Sequence, residues 1–407
     1  MPPRTPPSSP TPSPSPRGTV PRLLATQLER AAKAFAAIVL TGPRRAGKTT
    51  LLRTLRPGAD YVLLEEPDVL ARIRTDPRSF IESLRTPVIL DEVQNVPEIF
   101  PWVRAKIDAA PSRRGRFFLT GSQDFSLMEG VTESMAGRAA IFRLLPLSTR
   151  ETPKVTMIDG GYPEVIRRPR DRSLWFASYC QTYIERDVRS ILAVRDLATF
   201  RRFLGLLSTR HAQVLNRTEL AAPLGVSVPT ISQWIGILET TGTVALVPPW
   251  HDNAGKRLVK SPKVYFTDSG LACHLLGIGS DADLRRSPFL GSIFEGFVAS
   301  EILKAQVNAG RPPRLFWFRD RRGLEVDFVV PTPRGEPILV EAKATRTVRP
   351  EFADPMLRLA AAMRERTGRA PRCLVVHEGS PLAAPALRPG AEAIDLGGLL
   401  ETIAPKR

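Results

Sequence analysis

Gly42-Pro43-Arg44-Arg45-Ala46-Gly47-Lys48-Thr49 has the spacing G-x-x-x-x-G-K-T, and its flanks decide how it is read. Ala37-Ile38-Val39-Leu40 precedes it as a short apolar run, which reads as a buried strand. Thr50-Leu51-Leu52-Arg53-Thr54-Leu55 follows it with apolar residues at helical spacing. Strand, glycine loop and helix, in that order, aim backbone N–H groups and a helix N-terminus at phosphate oxygens. The segment from Gly42 through Thr50 is thus the expected phosphate grip. Lys48 reaches the β- and γ-phosphates and the Thr49 hydroxyl ligates Mg²⁺.

Outward from the loop, residues 21–150 alternate short apolar runs with amphipathic stretches, the pattern of a parallel sheet covered by helices. Strands are predicted at Ile38–Thr41, Tyr61–Leu64, Val88–Asp91, Phe117–Thr120 and Ile141–Leu144, with helical stretches at Asp68–Leu84 and Ile99–Ala109. The third run closes on Asp91-Glu92, the acidic strand tip that nucleotide hydrolysis requires. Asp91 is expected in the Mg²⁺ shell, and Glu92 is expected to orient and deprotonate the attacking water. The fourth ends Leu119-Thr120-Gly121-Ser122, where Ser122, with Thr120 in reserve, is expected at the γ-phosphate or the water. Arg138 is a candidate arginine finger, in cis or across the subunit boundary of a homo-oligomer.

Composition narrows the function classes. The apolar fraction of 43% beside 24% charged residues is that of a globular protein. No apolar run approaches membrane-spanning length, and the start of the chain has no apolar core segment, so no membrane partner and a cytoplasmic location are expected. Three dispersed cysteines and four dispersed histidines oppose disulfide and zinc readings. The net charge of +17 favours polyanions, DNA among them, as partners. Only 10 of the 58 basic residues are lysine, so a lysine marks a place where a compact ammonium is needed; Lys48 and Lys343 are two such places. Residues 1–18, mostly Pro, Ser and Thr, read as a disordered tail.

The loop, Leu90-Asp91-Glu92, Leu119-Thr120-Gly121-Ser122 and Ala136-Gly137-Arg138 together resemble a prokaryotic AAA-type ATPase domain. In that family the domain is commonly fused to a C-terminal domain of unknown function, number 4143. Downstream phrases fit the same family: Gly160-Gly161-Tyr162-Pro163, Tyr183-Ile184-Glu185-Arg186-Asp187, Tyr265-Phe266-Thr267-Asp268-Ser269-Gly270-Leu271 and Phe294-Glu295-Gly296. The resemblance covers about residues 22–400 and implies ATP and Mg²⁺ as cofactors; its downstream phrases identify the family without revealing a reaction.

Residues 151–210 read as a helical lid. Within 211–272, Arg217–Gly225 and Ser227–Leu238 read as helix, glycine turn and a second helix with a Ser cap. Val244–Pro248 and Val264–Phe266, joined through Lys256–Lys260, complete a winged-helix pattern. In a DNA reader of that kind Thr230, Ser232 and Gln233 face base edges; in a lid or protein contact they do not. In 273–407, Leu324–Val330 alternates as a strand, and Ile338–Lys343 returns as its hairpin partner. The pair brings Asp327, Glu341 and Lys343 to one end, and Glu295, from a helix over Ile293–Lys304, can complete a second metal site. The D…E-x-K arrangement looks like the restriction-endonuclease-like fold.

The expected architecture is α/β: a P-loop NTPase parallel sheet of AAA type over 21–150, a helical and winged-helix middle, and a nuclease-like C-terminal domain. The expected reaction is Mg²⁺-dependent ATP hydrolysis acting on nucleic acid. The alternatives are an ATP-switched metal-dependent DNA nuclease and a nucleotide-gated DNA-binding or scaffold protein with negligible turnover. A small-molecule kinase is disfavoured, because Asp91-Glu92 sits on a strand separated from the loop strand by another predicted strand.

Overall fold

The computed structural model describes residues 19–121, 135–184, 197–250, 260–332, 335–379 and 387–404. Contacts among them divide the chain into two compact units. One comprises the residues up to Thr41 with Gly47–Phe142; the other comprises Gly42–Ala46 with the residues from Arg143 onward.

The first unit is built on β1 (Ala37–Thr41), β2 (Asp60–Leu63), β3 (Val88–Asp91), β4 (Phe117–Thr120) and β5 (Ala139–Arg143), in the order β2-β3-β4-β1-β5. The pairs β2/β3, β3/β4 and β4/β1 are parallel. β1, β3 and β4 are buried along their whole length, as an uninterrupted apolar run requires when both faces are covered. One covering layer uses Phe80, Ile81, Phe100, Val103 and Ile107, from the helices Pro77–Ser83 and Phe100–Asp108, against Val39, Leu90 and Leu119. Each such side chain contributes roughly 1.5–3 kcal/mol on burial. The amphipathic stretch 68–84 is broken into Pro67–Thr75 and Pro77–Ser83, because Asp76 leaves the helical conformation and its carboxylate caps the next helix through Ser79 N. β4 lies between β1, which feeds the loop, and β3, which ends on Asp91.

In the second unit, the helices Arg172–Tyr179 and Leu197–Ser208 share a core with Val228–Thr240. Arg217–Leu224 and Val228–Thr240 meet at 111° through Gly225, whose φ of +65° suits glycine. Ser227 caps the second helix by accepting from Thr230 N. β6 (Gln213–Val214), β7 (Val244–Val247) and β8 (Lys263–Phe266) form an antiparallel sheet ordered β6-β8-β7. Lys256–Val259 lie outside the described residues.

The last part of this unit is a five-stranded sheet of β9 (Phe316–Arg319), β10 (Glu325–Val330), β11 (Ile338–Lys343), β12 (Arg372–His377) and β13 (Ala391–Ile394). Its order is β13-β12-β11-β10-β9; the pairs at the β9 end are antiparallel and the others parallel. The helices Leu290–Asn308 and Leu396–Ile403 cover one face, where Leu374 and Val376 point; Asp354–Thr367 covers the other, where Cys373 and Val375 point. β10 does not alternate cleanly, as the sequence suggested. Its register against β9 shifts between Val326 and Val329, so a bulge or irregularity falls across Asp327 and Phe328 and breaks the alternation there. No single helix among the described residues is long and apolar enough to cross a membrane.

Candidate functional site

The phosphate loop is made by backbone conformation. Gly42, Arg45 and Gly47 have positive φ, at +133°, +62° and +95°. Positive-φ residues interspersed with negative-φ ones are the backbone pattern from which anion-binding nests are built. At Gly42 a Cβ would also run into the Leu144 carbonyl, so only glycine fits there. Arg45, a non-glycine residue held left-handed, stores strain of order 1–3 kcal/mol, as functional loops often do. Gly47 then caps the helix Lys48–Leu55. Lys48 is 6% exposed at the first turn of that helix, followed by Thr49 and Thr50.

Asp91 faces Thr49 at the tip of β3. The Thr49 hydroxyl donates to Asp91 Oδ2 at 2.8 Å. The Tyr61 hydroxyl donates to the same oxygen at 2.7 Å, and the Thr120 hydroxyl donates to Oδ1. A hydroxyl beside a buried carboxylate is a hard-oxygen pair of the kind Mg²⁺ takes when substrate phosphates supply the remaining ligands. Glu92 is left-handed, at φ +59° and ψ +47°. That conformation turns its side chain out of the strand alternation, and its carboxylate accepts from Gln94 Nε2 at 2.5 Å. Its backbone N–H donates to the Thr120 hydroxyl at 3.3 Å. Thr120, the reserve choice, is therefore the residue tied to both acids, while Ser122 lies outside the described residues. Arg138 is clamped by Asp108 through Nε at 2.6 Å and Nη2 at 2.9 Å. Sequence reading missed Tyr61 and Gln94: an aromatic on a half-buried strand and a glutamine after an acidic turn carry no motif.

In the second unit Asp327, Glu341 and Lys343 come together, with a partner the sequence did not suggest. Lys343 Nζ lies 2.6 Å from Glu341 Oε1 and 3.9 Å from Asp327 Oδ2, and Ala342 N donates to Asp327 Oδ2 at 2.9 Å. Lys263, on β8 and 3% exposed, places its Nζ 3.0 Å from Glu295 Oε1 and 2.8 Å from Glu325 Oε1. Tyr265 donates to the same Glu295 oxygen at 2.7 Å. Burial, reinforced by the Asp327 charge, raises Glu295 to about 7 and Glu341 to about 8, against the pull of Lys263 and Lys343 respectively. Burial pulls the Lys263 ammonium down, but Glu295, Asp327 and Glu325 outweigh it and hold the group charged. Among the described residues no group of three or more His, Cys, Asp or Glu side chains is arranged to hold a metal ion. The positions expected of a second metal site are met here by two ammonium groups.

Two family phrases interlock within the second unit. Asp268, fully buried, accepts from Gly161 N at 2.7 Å and from Leu271 N at 3.1 Å. A Cβ at Gly160 would strike the Asp268 carboxylate, and one at Gly161 would strike the Leu147 carbonyl. These glycines serve packing, not chemistry.

Known proteins bear on both units. Residues 34–152 match a family described as AAA domain, residues 150–282 a domain of unknown function (DUF8612), and residues 290–382 a domain of unknown function (DUF4143). Uncharacterized proteins of Mycobacterium tuberculosis and Mycobacterium bovis are each 34% identical over 330 residues, covering 79% of this chain and 74% of their own length. Among solved structures, a Walker-type ATPase of Pyrococcus abyssi aligns at TM-score 0.41 and 15% identity, over 62% of this chain and 94% of its own. The RuvB Holliday junction branch migration motor of Thermotoga maritima aligns at TM-score 0.31 and 18% identity, over 55% and 89%. With its phosphate loop, its parallel sheet and these relatives, the chain belongs to the family of AAA-domain P-loop ATPase proteins that carry DUF4143 toward the C-terminus.

Proposed function

We propose that the protein is a Mg²⁺-dependent ATP hydrolase whose second unit works on nucleic acid. The observation that carries the reading is the Thr49–Asp91 pair at 2.8 Å, set at the tip of the strand that continues into left-handed Glu92. Bound Mg²⁺ would supply charge neutralisation between phosphate oxygens. The chain's own part is to bind and orient. Loop amides and Lys48 offset phosphate charge, Thr49 and Asp91 hold the cation, Thr120 fixes the acidic tip, and Glu92 takes a proton from water. Arg138 is the candidate to offset transition-state charge once it leaves Asp108.

The reading assigns 21–150 to the ATPase core, 151–210 to a helical lid, 211–272 to a winged helix and 273–407 to a nuclease-like module. DNA is the favoured partner of the winged helix. The supporting feature is the exposed start of the helix Val228–Thr240, where Pro229, Ser232 and Gln233 are solvent-facing beside Thr230. Nucleotide binding tests the grip: Lys48→Ala should lose tight ATP binding, and Glu92→Gln should keep it. Parent-like ATP affinity in Lys48→Ala would remove the assignment.

One observation favours a second reading, a metal-dependent nuclease in which a cation would have to displace the Lys343 ammonium: Glu341 Oε2 is buried with no hydrogen-bond partner, beside Asp327 and Lys343. Labelled DNA incubated with Mn²⁺, with Asp327→Ala as control, tests it. Cleavage that is absent, or equal in both proteins, removes that reading.

A further inference from the structure

We propose that Tyr61 is a positioning residue for the cation-binding carboxylate, fixing Asp91 before nucleotide and Mg²⁺ arrive. The assignment rests on the nucleotide reading above and adds a residue to it. Asp91 accepts three side-chain hydroxyls: Thr49 at 2.8 Å and Tyr61 at 2.7 Å on Oδ2, and Thr120 on Oδ1. An ionised carboxylate offers about four lone-pair sites. Three are engaged, so the plane of the group is set and about one acceptor direction remains for a cation's shell.

Thr49 belongs to the phosphate grip and Thr120 to the neighbouring strand, so both are expected near Asp91. Tyr61 comes from β2, the strand paired with β3 on the side away from the loop strand. Its ring is held as well: the Arg53 guanidinium carbon lies 4.9 Å from the ring centroid. Arg53 is on the helix that starts at Lys48. One phenol thus joins the helix behind the phosphate loop to the carboxylate on the acidic strand. Burial, followed by the Asp91 charge, raises the Tyr61 hydroxyl above the usual phenol range, which keeps it a donor.

The chemistry predicted is selective. A residue that orients a metal-holding carboxylate changes how strongly the cation binds, typically by 10–100-fold when it is removed. It leaves cation-free phosphate binding, which Lys48 and the loop amides supply, largely alone. A residue that only packs the strand lowers both together.

The test uses the full chain and a fluorescent ATP analogue, titrated once with Mg²⁺ and once with EDTA. Tyr61→Phe keeps the ring over Arg53 and removes only the hydroxyl; Asp91→Asn is the reference for a lost carboxylate. Tyr61→Phe should bind the analogue in EDTA within about twofold of the parent, while the tightening caused by Mg²⁺ shrinks about tenfold. The Mg²⁺ concentration for half-maximal turnover should rise by a similar factor. Unchanged Mg²⁺ dependence overturns the assignment, and so does equal weakening with and without Mg²⁺. If the parent shows Mg²⁺-tightened binding but no turnover, hydrolysis falls while Tyr61 keeps its role. A parent that binds no nucleotide takes both readings away.

Discussion

Asp268 Oδ2 accepts the Gly161 amide at 2.7 Å, joining segments 107 residues apart in the chain. Its other oxygen accepts from Leu271 N and begins the helix Ser269–Leu275. One fully buried carboxylate therefore satisfies backbone donors on two segments that would otherwise be orphaned. Asp268→Ala should destabilise the second unit by about 2–6 kcal/mol, since two buried donors are stranded and each costs about 1–3 kcal/mol. Asp268→Asn, which keeps one acceptor, should cost less. Urea unfolding reads both; a change within about 0.5 kcal/mol for the alanine variant, the size of an ordinary surface substitution, would contradict this role.

Gly296 and His211 make the second packing prediction. A Cβ at Gly296 would collide with the His211 ring, whose Nδ1 accepts from Phe266 N at 3.1 Å. Gly296→Ala should therefore destabilise by about 1–3 kcal/mol, the usual cost of overpacking. His211→Ala in the same chain should recover part of that loss, giving a coupling energy of at least about 0.5 kcal/mol in a double-mutant cycle. Purely additive effects would mean the two residues do not press on one another.

The same histidine predicts a pH dependence. Burial depresses His211 to about 3 in the folded chain, against an ordinary value of 6.5. Below pH 6.5 the unfolded chain binds a proton that the folded chain refuses, so stability falls as the pH falls, down to about pH 3. The slope from this group is about 1.4 kcal/mol per pH unit. The difference between the parent and His211→Asn isolates it, because other groups cancel. The parent should lose stability more steeply than the variant between pH 6 and 4, where about one extra proton is taken up on unfolding. Parallel curves would exclude a buried neutral histidine.

The exposed start of the helix Val228–Thr240 carries a prediction about DNA. Ser232 Oγ donates to Val228 O, and Thr230 shares a hydrogen bond with Ser227, so both hydroxyls are engaged within the helix. Gln233, exposed on the next turn, is the side chain best placed to read a base edge. Gln233→Ala should reduce discrimination between DNA sequences by about 1–3 kcal/mol while leaving the salt dependence of binding alone. Fluorescence anisotropy on a set of duplexes at two salt concentrations measures both, and unchanged discrimination counts against base reading by this residue.

What sequence could disclose follows from the range of the interactions. The phosphate loop, the acidic tip and the strands of the first unit are local patterns, and β1, β3 and β4 lie within one residue of the expected runs. The irregularity between Val326 and Val329 is different: it depends on how β10 registers against β9, and an alternating run gives no sign of it. Lys263 is hidden for the same reason. It reads as an ordinary residue opening a strand, and only the packing of β8 beside Leu290–Asn308 and β10 brings it to Glu295 and Glu325. The scarcity of lysine was the signal available. Among the described lysines, Lys48, Lys263 and Lys304 are buried and Lys106 and Lys343 are half-buried, in a chain that otherwise uses arginine. Tyr61 left no comparable mark, because its role lies in one hydroxyl reaching across to the next strand.

The central claim is that Thr49, Asp91 and Glu92 form a working hydrolytic centre, and steady-state phosphate release from ATP tests it most directly. The parent should release phosphate only with Mg²⁺ present. Glu92→Gln should retain Mg²⁺-tightened ATP binding yet lose about 10²-fold or more in turnover, the scale expected of a general base. Phosphate release at the parent rate from both Lys48→Ala and Glu92→Gln would contradict the account.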